Sequence, residues 1–312
     1  MKAEVANRRQ FAGWLGAAMA VAAAAGCDLM APGVRKQAAG SRIGGGGRLV
    51  EPKRCALTVV ILTRPQNDPV LNGSVWEVAD EQVATPELRR ALQTNGLRVG
   101  RISGDLPAEV QALLKAGPPE QPDVQMIVNP SGQSTLIDAA HAPARSRLNL
   151  LVSQPDGKVL GKVYEDAKGW IRLTATHEGT EQVALRVVPE LHHGPVRSGF
   201  GVVPTAGVAV PREFQLTQGQ AEETFRELGV TVVVGPGQVA VLGARPERSG
   251  TLGDLIFQKL EANSDRVLQS VVLIWADRNE RGSGPGAGVS LEVPEALLPA
   301  GAAEGDHLAE PK

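Results

Sequence analysis

Residues 55–62 read Cys-Ala-Leu-Thr-Val-Val-Ile-Leu, an apolar run rich in β-branched side chains and interrupted only by Thr58. A strand with one wet face alternates apolar and polar residues. A run that does not alternate predicts a strand buried on both faces. Val75–Val78 reads as a short second strand. Thr85 stands where a helix cap is needed, with Pro86 at the first helical position and Gly96 just past the end. Leu88, Ala91 and Leu92 between them share one face. A strand over Leu97–Ile102 follows, then a helix from about Leu106 to Ala116, stopped by Gly117 and Pro118-Pro119, and a strand over Val124–Val128. That order predicts a small α/β subdomain over residues 54–130.

Residues 131–280 have a different rhythm and predict a β-rich α+β subdomain. Leu148–Gln154, Lys158–Tyr164, Trp170–His177 and Gln182–Val188 read as strands. The separators Pro155-Asp156-Gly157, Ala167-Lys168-Gly169 and Glu178-Gly179-Thr180 read as hairpin turns. Ile171, Leu173 and Ala175 alternate with Arg172, Thr174 and Thr176, the pattern of a sheet with one solvated face. Glu222–Leu228 reads as a helix ended by Gly229, and Thr231–Val234 and Gln238–Leu242 as strands around Gly235-Pro236-Gly237. Thr251 caps a helix carrying Leu252, Leu255, Ile256 and Leu260, and Val267–Trp275 is a strong strand. The expected fold class is α+β: mixed or antiparallel sheets with several short helices, in two subdomains. Residues 281–312, rich in Gly, Pro, Ala and acids, read as a largely disordered tail.

Charge removes one class of partner. The chain has 32 basic and 34 acidic side chains. Residues 1–26 hold three basic and one acidic, so the remainder is weakly acidic, at −4. Such a body has no electrostatic means of holding nucleic-acid phosphates. Aromatic residues are only 3% of the chain, too few to build stacking platforms.

The N-terminus carries an address. Lys2, Arg8 and Arg9 precede Phe11–Ala25, an apolar stretch of 15 residues. Crossing a bilayer core takes about 20 apolar residues, so this length fits a secretory leader. The leader ends Ala24-Ala25-Gly26-Cys27. That ending resembles the lipobox of bacterial lipoproteins, although Ala24 stands where Leu is usual. The resemblance covers residues 1–27 only. It implies cleavage before Cys27, diacylation of its thiol and an envelope location facing the periplasm or the exterior. Arg8-Arg9-Gln10-Phe11 also looks like the core of a twin-arginine export signal, and Asp28 resembles an inner-membrane retention signal. Residues 27–53, including the run Gly44–Gly47, read as a flexible tether of roughly 25–30 Å. With Cys27 lipidated, Cys55 has no partner for a disulfide and reads as a small buried hydrophobe.

Candidate chemistry in the body is sparse. Glu190-Leu191-His192-His193 is the only cluster of metal-type ligands in the sequence. In a strand Glu190 and His192 share a face and His193 points away, so a third ligand, for instance His177, must come from another strand. The carboxylates Asp80 and Glu81 are adjacent and therefore diverge. Ser198 lacks the surroundings of a nucleophile elbow, and Gly235-Pro236-Gly237 has no following Lys-Ser/Thr to make a phosphate loop. Gly243-Ala244-Arg245-Pro246 with Thr251–Phe257 faintly resembles the turns of secretin channel domains. No catalytic, cofactor-binding or metal residues are assigned; the one assigned site is lipid attachment at Cys27. The expected role is non-enzymatic: a membrane-anchored protein that binds or scaffolds other envelope proteins. The alternatives are a metal-dependent envelope hydrolase built on His177, Glu190, His192 or His193, and an accessory lipoprotein of a secretion or pilus secretin system.

Overall fold

A computed structural model describes residues 53–202 and 214–279. Cys27, the leader, residues 27–52 of the tether and the tail 281–312 lie outside the described residues.

Strands dominate. β1 (Arg54–Pro65), β2 (Leu97–Ser103), β3 (Asp123–Pro130), β10 (Gln238–Ala244), β11 (Gln258–Leu260) and β12 (Val267–Asn279) form a first sheet in the order β2-β10-β12-β1-β3. β11 pairs with β12 off this path. A second sheet runs β4 (Ser134–Ile137), β6 (Val159–Glu178), β7 (Gln182–Val202), β8 (Phe214–Thr224), with β5 (Arg145–Ser153) on β6 and β9 (Val230–Val234) on β7. Every pairing is antiparallel. Among the described residues there are four short α-helices, α1 (Val75–Glu77), α2 (Pro86–Thr94), α3 (Ala108–Leu114) and α4 (Leu252–Phe257), besides three single helical turns. The expected antiparallel sheets with short helices are present, with more strand and less helix than an α+β reading implies.

The unalternating run at 55–62 does what its pattern requires. Leu57, Val59 and Ile61 face the main core with Val272 and Ile274 of β12 and Ala240 and Leu242 of β10. Val60 and Leu62 face the other way, with Val271 and Leu273, into a second cluster closed by Leu71, Trp76, Val110 and Leu114. The first sheet therefore has apolar side chains on both faces: α1 and α3 cover one, and the second sheet with α2 and α4 covers the other. Burying a large aliphatic side chain contributes about 1.5–3 kcal/mol, and β1 alone places five of them.

Four expectations need correction. The helix capped by Thr251 does not reach Leu260: α4 ends at Phe257, and Leu260 is the last residue of β11. Val75–Val78 is not a strand: Val70–Ser74 is a wide helical turn that runs into α1. Its apolar residues Leu71, Val75 and Trp76 recur at helical spacing and reach the second cluster. Ala167-Lys168-Gly169 is not a hairpin, because β6 runs unbroken through it. The chain kinks one residue earlier, at Asp166 (φ 49°), where the side-chain alternation slips so that Tyr164 and Ala167 both face the core. Gly169 is small for another reason: a Cβ there would lie 2.7 Å from Ile256 Cγ1, because α4 packs directly on the strand backbone. Finally, Glu222–Leu228 is not a helix. Residues 222–224 end β8, and Arg226–Leu228 form one tight turn.

Candidate functional site

The pairing of β6, β7 and β8 decides which polar residues meet. Trp170 lies opposite Glu190, and Glu190 opposite Thr224; His192 lies opposite Glu222. Alternation sends Arg172, Glu190, His192, Glu222 and Thr224 to the same side of the sheet, away from Ile171, Leu173 and Leu191 in the core.

Glu190 is the centre of this group and is fully buried. Arg172 donates to both of its oxygens: Nε to Oε2, and Nη2 to Oε1 at 2.6 Å. His192 Nε2 lies 2.7 Å from Oε1, and Thr224 Oγ1 donates to Oε2 at 3.2 Å. Arg172 Nη2 also reaches Glu222 Oε2 at 3.2 Å. Burial by itself would raise the Glu190 carboxyl; the hydrogen bonds from Arg172 and His192 outweigh it and hold the group below its ordinary value. The guanidinium of Arg172 is held protonated by the same contacts, Glu190 first. Trp170 lies beside His192, with ring centroids 5.6 Å apart, and Lys168 Nζ sits 4.7 Å from the Trp170 ring centre.

Donor atoms of Glu190, His192 and Glu222 lie within 4.8 Å of one another, close enough to share a cation. Arg172 occupies that space instead. Its fork uses both Glu190 oxygens, and a positive guanidinium among the donors opposes a second cation. As it stands the cluster is a satisfied ion network clamping three strands.

The other sequence candidates are dispersed. His193 turns to the opposite side, edge-on to Tyr164 at 5.0 Å. His177 lies opposite Val183, seven residues along β7 from Glu190, or about 23 Å at strand rise, and its Nε2 contacts the Arg54 carbonyl at 2.8 Å. Ser198 sits exposed in mid-strand opposite Gln218. Asp80 caps the turn after it through Gln82 N, while Glu81 holds Arg98 in a two-pronged pair at 2.9 and 3.1 Å. Gly235-Pro236-Gly237 is a turn, with Gly237 at φ 73°. Residues 243–257 supply the end of β10, a loop and α4, which is buried throughout. Cys55 is buried and free; burial raises its thiol pKa, against smaller opposing effects of Ser131 and Arg278.

Arg172, Glu222 and Thr224 were not among the sequence candidates. Arg172 carried a signal, since it sits on the polar phase of an alternating strand. Glu222 and Thr224 carry none, because the residue types of 222–228 favour a helix.

A second surface stands out on the β5–β6 hairpin. Leu151 is 68% exposed, Val159 59% and Val163 52%. Asn149 pairs with Val163, Leu151 with Gly161 and Ser153 with Val159, so the three aliphatic side chains share one outward face. On the opposite face, Leu148, Leu150 and Val152 of β5 lie in the main core.

Fold and site together define a β-rich antiparallel protein with a structural ion network and an apolar hairpin face. Comparison with known protein families and with curated proteins finds no match. Among solved structures, Aeromonas hydrophila ExeD is similar to 73% of this chain over 49% of its own length, at 9% identity and a TM-score of 0.22. This chain thus spans about half the length of that protein, and at that TM-score the likeness carries no argument. Among the described residues no helix is long and apolar enough to cross a membrane.

Proposed function

We infer that this protein is a lipid-anchored component of a bacterial envelope that binds other envelope proteins without catalysing a reaction. The short leader ending at Cys27 supports the anchor. The observation that carries the binding role is the outward face of the β5–β6 hairpin, where three large aliphatic residues are each more than half exposed on one side of a two-stranded ribbon. Exposed aliphatic clusters of this kind mark contact surfaces. A photo-crosslinking residue at position 151 of the full chain, expressed in its envelope, tests this. The expected result is a discrete adduct that is absent when the same residue replaces Thr176 on the polar face. Equal labelling from both positions, or none from position 151, sinks the reading.

The hydrolase alternative draws on Glu190, His192 and Glu222. Stoichiometric zinc in the purified chain, lost in His192→Ala, would turn the reading toward it. The secretin-accessory alternative predicts co-purification with a secretin; a solitary monomer in gentle detergent counts against it. Asp28 favours the inner membrane as the anchored surface.

A further inference from the structure

A cleft of about 510 Å³ lies where the loop before β5 meets β11. Ala142, Pro143, Leu260 and Val267 give it aliphatic walls, and Gln258 lines it as well. Leu260, the last residue of β11, is 68% exposed.

The backbone of β11 is half used. Glu261 N donates to Arg266 O at 2.9 Å, which makes residues 261 and 266 a hydrogen-bonded pair. Hydrogen-bonded and non-bonded pairs alternate in an antiparallel ladder. Lys259 with Leu268 is then the next bonded pair, and Leu260 with Val267 is non-bonded. The N–H and C=O of Leu260 therefore point off the sheet, as does the C=O of Gln258. Gln258 N obeys the same alternation, since it turns from β12 and donates to Asp254 O.

The Gln258 side chain supplies an independent sign. It is 3% exposed, and its Oε1 accepts from Gln66 Nε2 at 3.3 Å. Its Nε2 is buried with no acceptor. An orphaned buried donor costs about 1–3 kcal/mol. Across the ladder Gln269 Oε1 lacks a donor too, while its Nε2 is taken by Asn72 and the Ala244 carbonyl.

We propose that this cleft takes an extended peptide segment with small aliphatic side chains, which adds a strand to the free edge of β11. Its main chain pairs with the Leu260 N–H and the Gln258 and Leu260 carbonyls, one of its carbonyls accepts from Gln258 Nε2, and its side chains lie against Leu260, Val267 and Pro143. Main-chain pairing supplies affinity in strand addition, and the walls supply selectivity. The site is separate from the β5–β6 face and stands or falls independently of it.

Titration of the full chain with acetyl-Ser-Val-Ala-Val-Ser-amide, followed by amide NMR, tests the proposal. The Leu260 and Lys259 amides are expected to shift with saturation. Leu260→Pro deletes an outward N–H at an edge, where proline is tolerated, and is expected to weaken binding about tenfold with the fold intact. A peptide N-methylated at alternate amides is expected not to bind. Gln258→Leu separates the two uses of the orphaned amide. If the amide serves a ligand, this change weakens peptide binding; if it serves Gln269 instead, binding is untouched and only stability falls, the Gln66 contact being lost in both cases. No shift at Leu260 with millimolar peptide, equal binding of the N-methylated peptide, or a Gln258→Leu effect on stability alone overturns the proposal.

Discussion

Glu190 shows how a residue's surroundings override its type. It is a carboxylate with no exposed surface, made tolerable by Arg172, His192 and Thr224. Removing one partner of a buried pair strands the other charge, at about 3–5 kcal/mol. Arg172→Met should therefore cost about that much in urea unfolding, and adding Glu190→Leu should restore most of it. The pH dependence follows from the depressed Glu190 pKa. The native state gains stability above the ordinary carboxylate value of 4.5 and loses it as pH falls through the lower native value. Glu190→Gln should remove this part of the acid slope, and a slope equal to wild type would refute the assignment. Cys55 is the opposite case. Its native thiol is raised above 9.0, so the unfolded chain ionises first and this contribution is lost as pH rises past that value. Iodoacetamide should leave Cys55 unmodified in the native chain and react once denaturant is added; fast native labelling would contradict the burial. The site was partly legible at this scale. Glu190 and His192 were visible as neighbours on one strand face. Their partner Arg172 was visible only as a member of a polar stripe, because nothing local says which strand lies alongside.

Capped helices and turns were the most readable elements. Thr85 and Thr251 accept from Leu88 N and Asp254 N as their positions imply, since a cap needs only residues three positions apart. Glu222–Leu228 misleads for the same reason: its residue types favour helix, but the edge of β7 at Glu190–His192 offers backbone partners to residues 222–224. Tertiary pairing then overrides a weak propensity. As strand residues, Glu222 and Glu223 point to opposite faces, toward Arg172 and Lys162. Gly169 looked like a turn residue and is a contact residue. Gly169→Ala should push α4 off β6 and cost about 1–3 kcal/mol, read as a lower unfolding midpoint with an unchanged far-ultraviolet spectrum. An unchanged midpoint would mean that the helix yields freely.

At the scale of the molecule, anchor and body make separate predictions. Cells fed a fatty-acid analogue should label the wild-type chain and not Cys27→Ala, and an unmodified mature N-terminus would remove the anchor from the proposed function. The sequence by itself determined what nearest neighbours along the chain decide. These are the double-sided burial of β1, the two capped helices, the turns at 155–157, 178–180 and 235–237, and the wet face of β6. Only the tertiary structure decided which strands pair. β1 lies between β3, near in sequence, and β12, some 200 residues away, and β10 joins β2. Apolar strands of one length and pattern are interchangeable locally, so their order is fixed by which arrangement buries both faces and leaves Glu190 beside Arg172. The ion network and the half-used edge of β11 are products of that order, because each depends on residues that meet only after the sheets have closed.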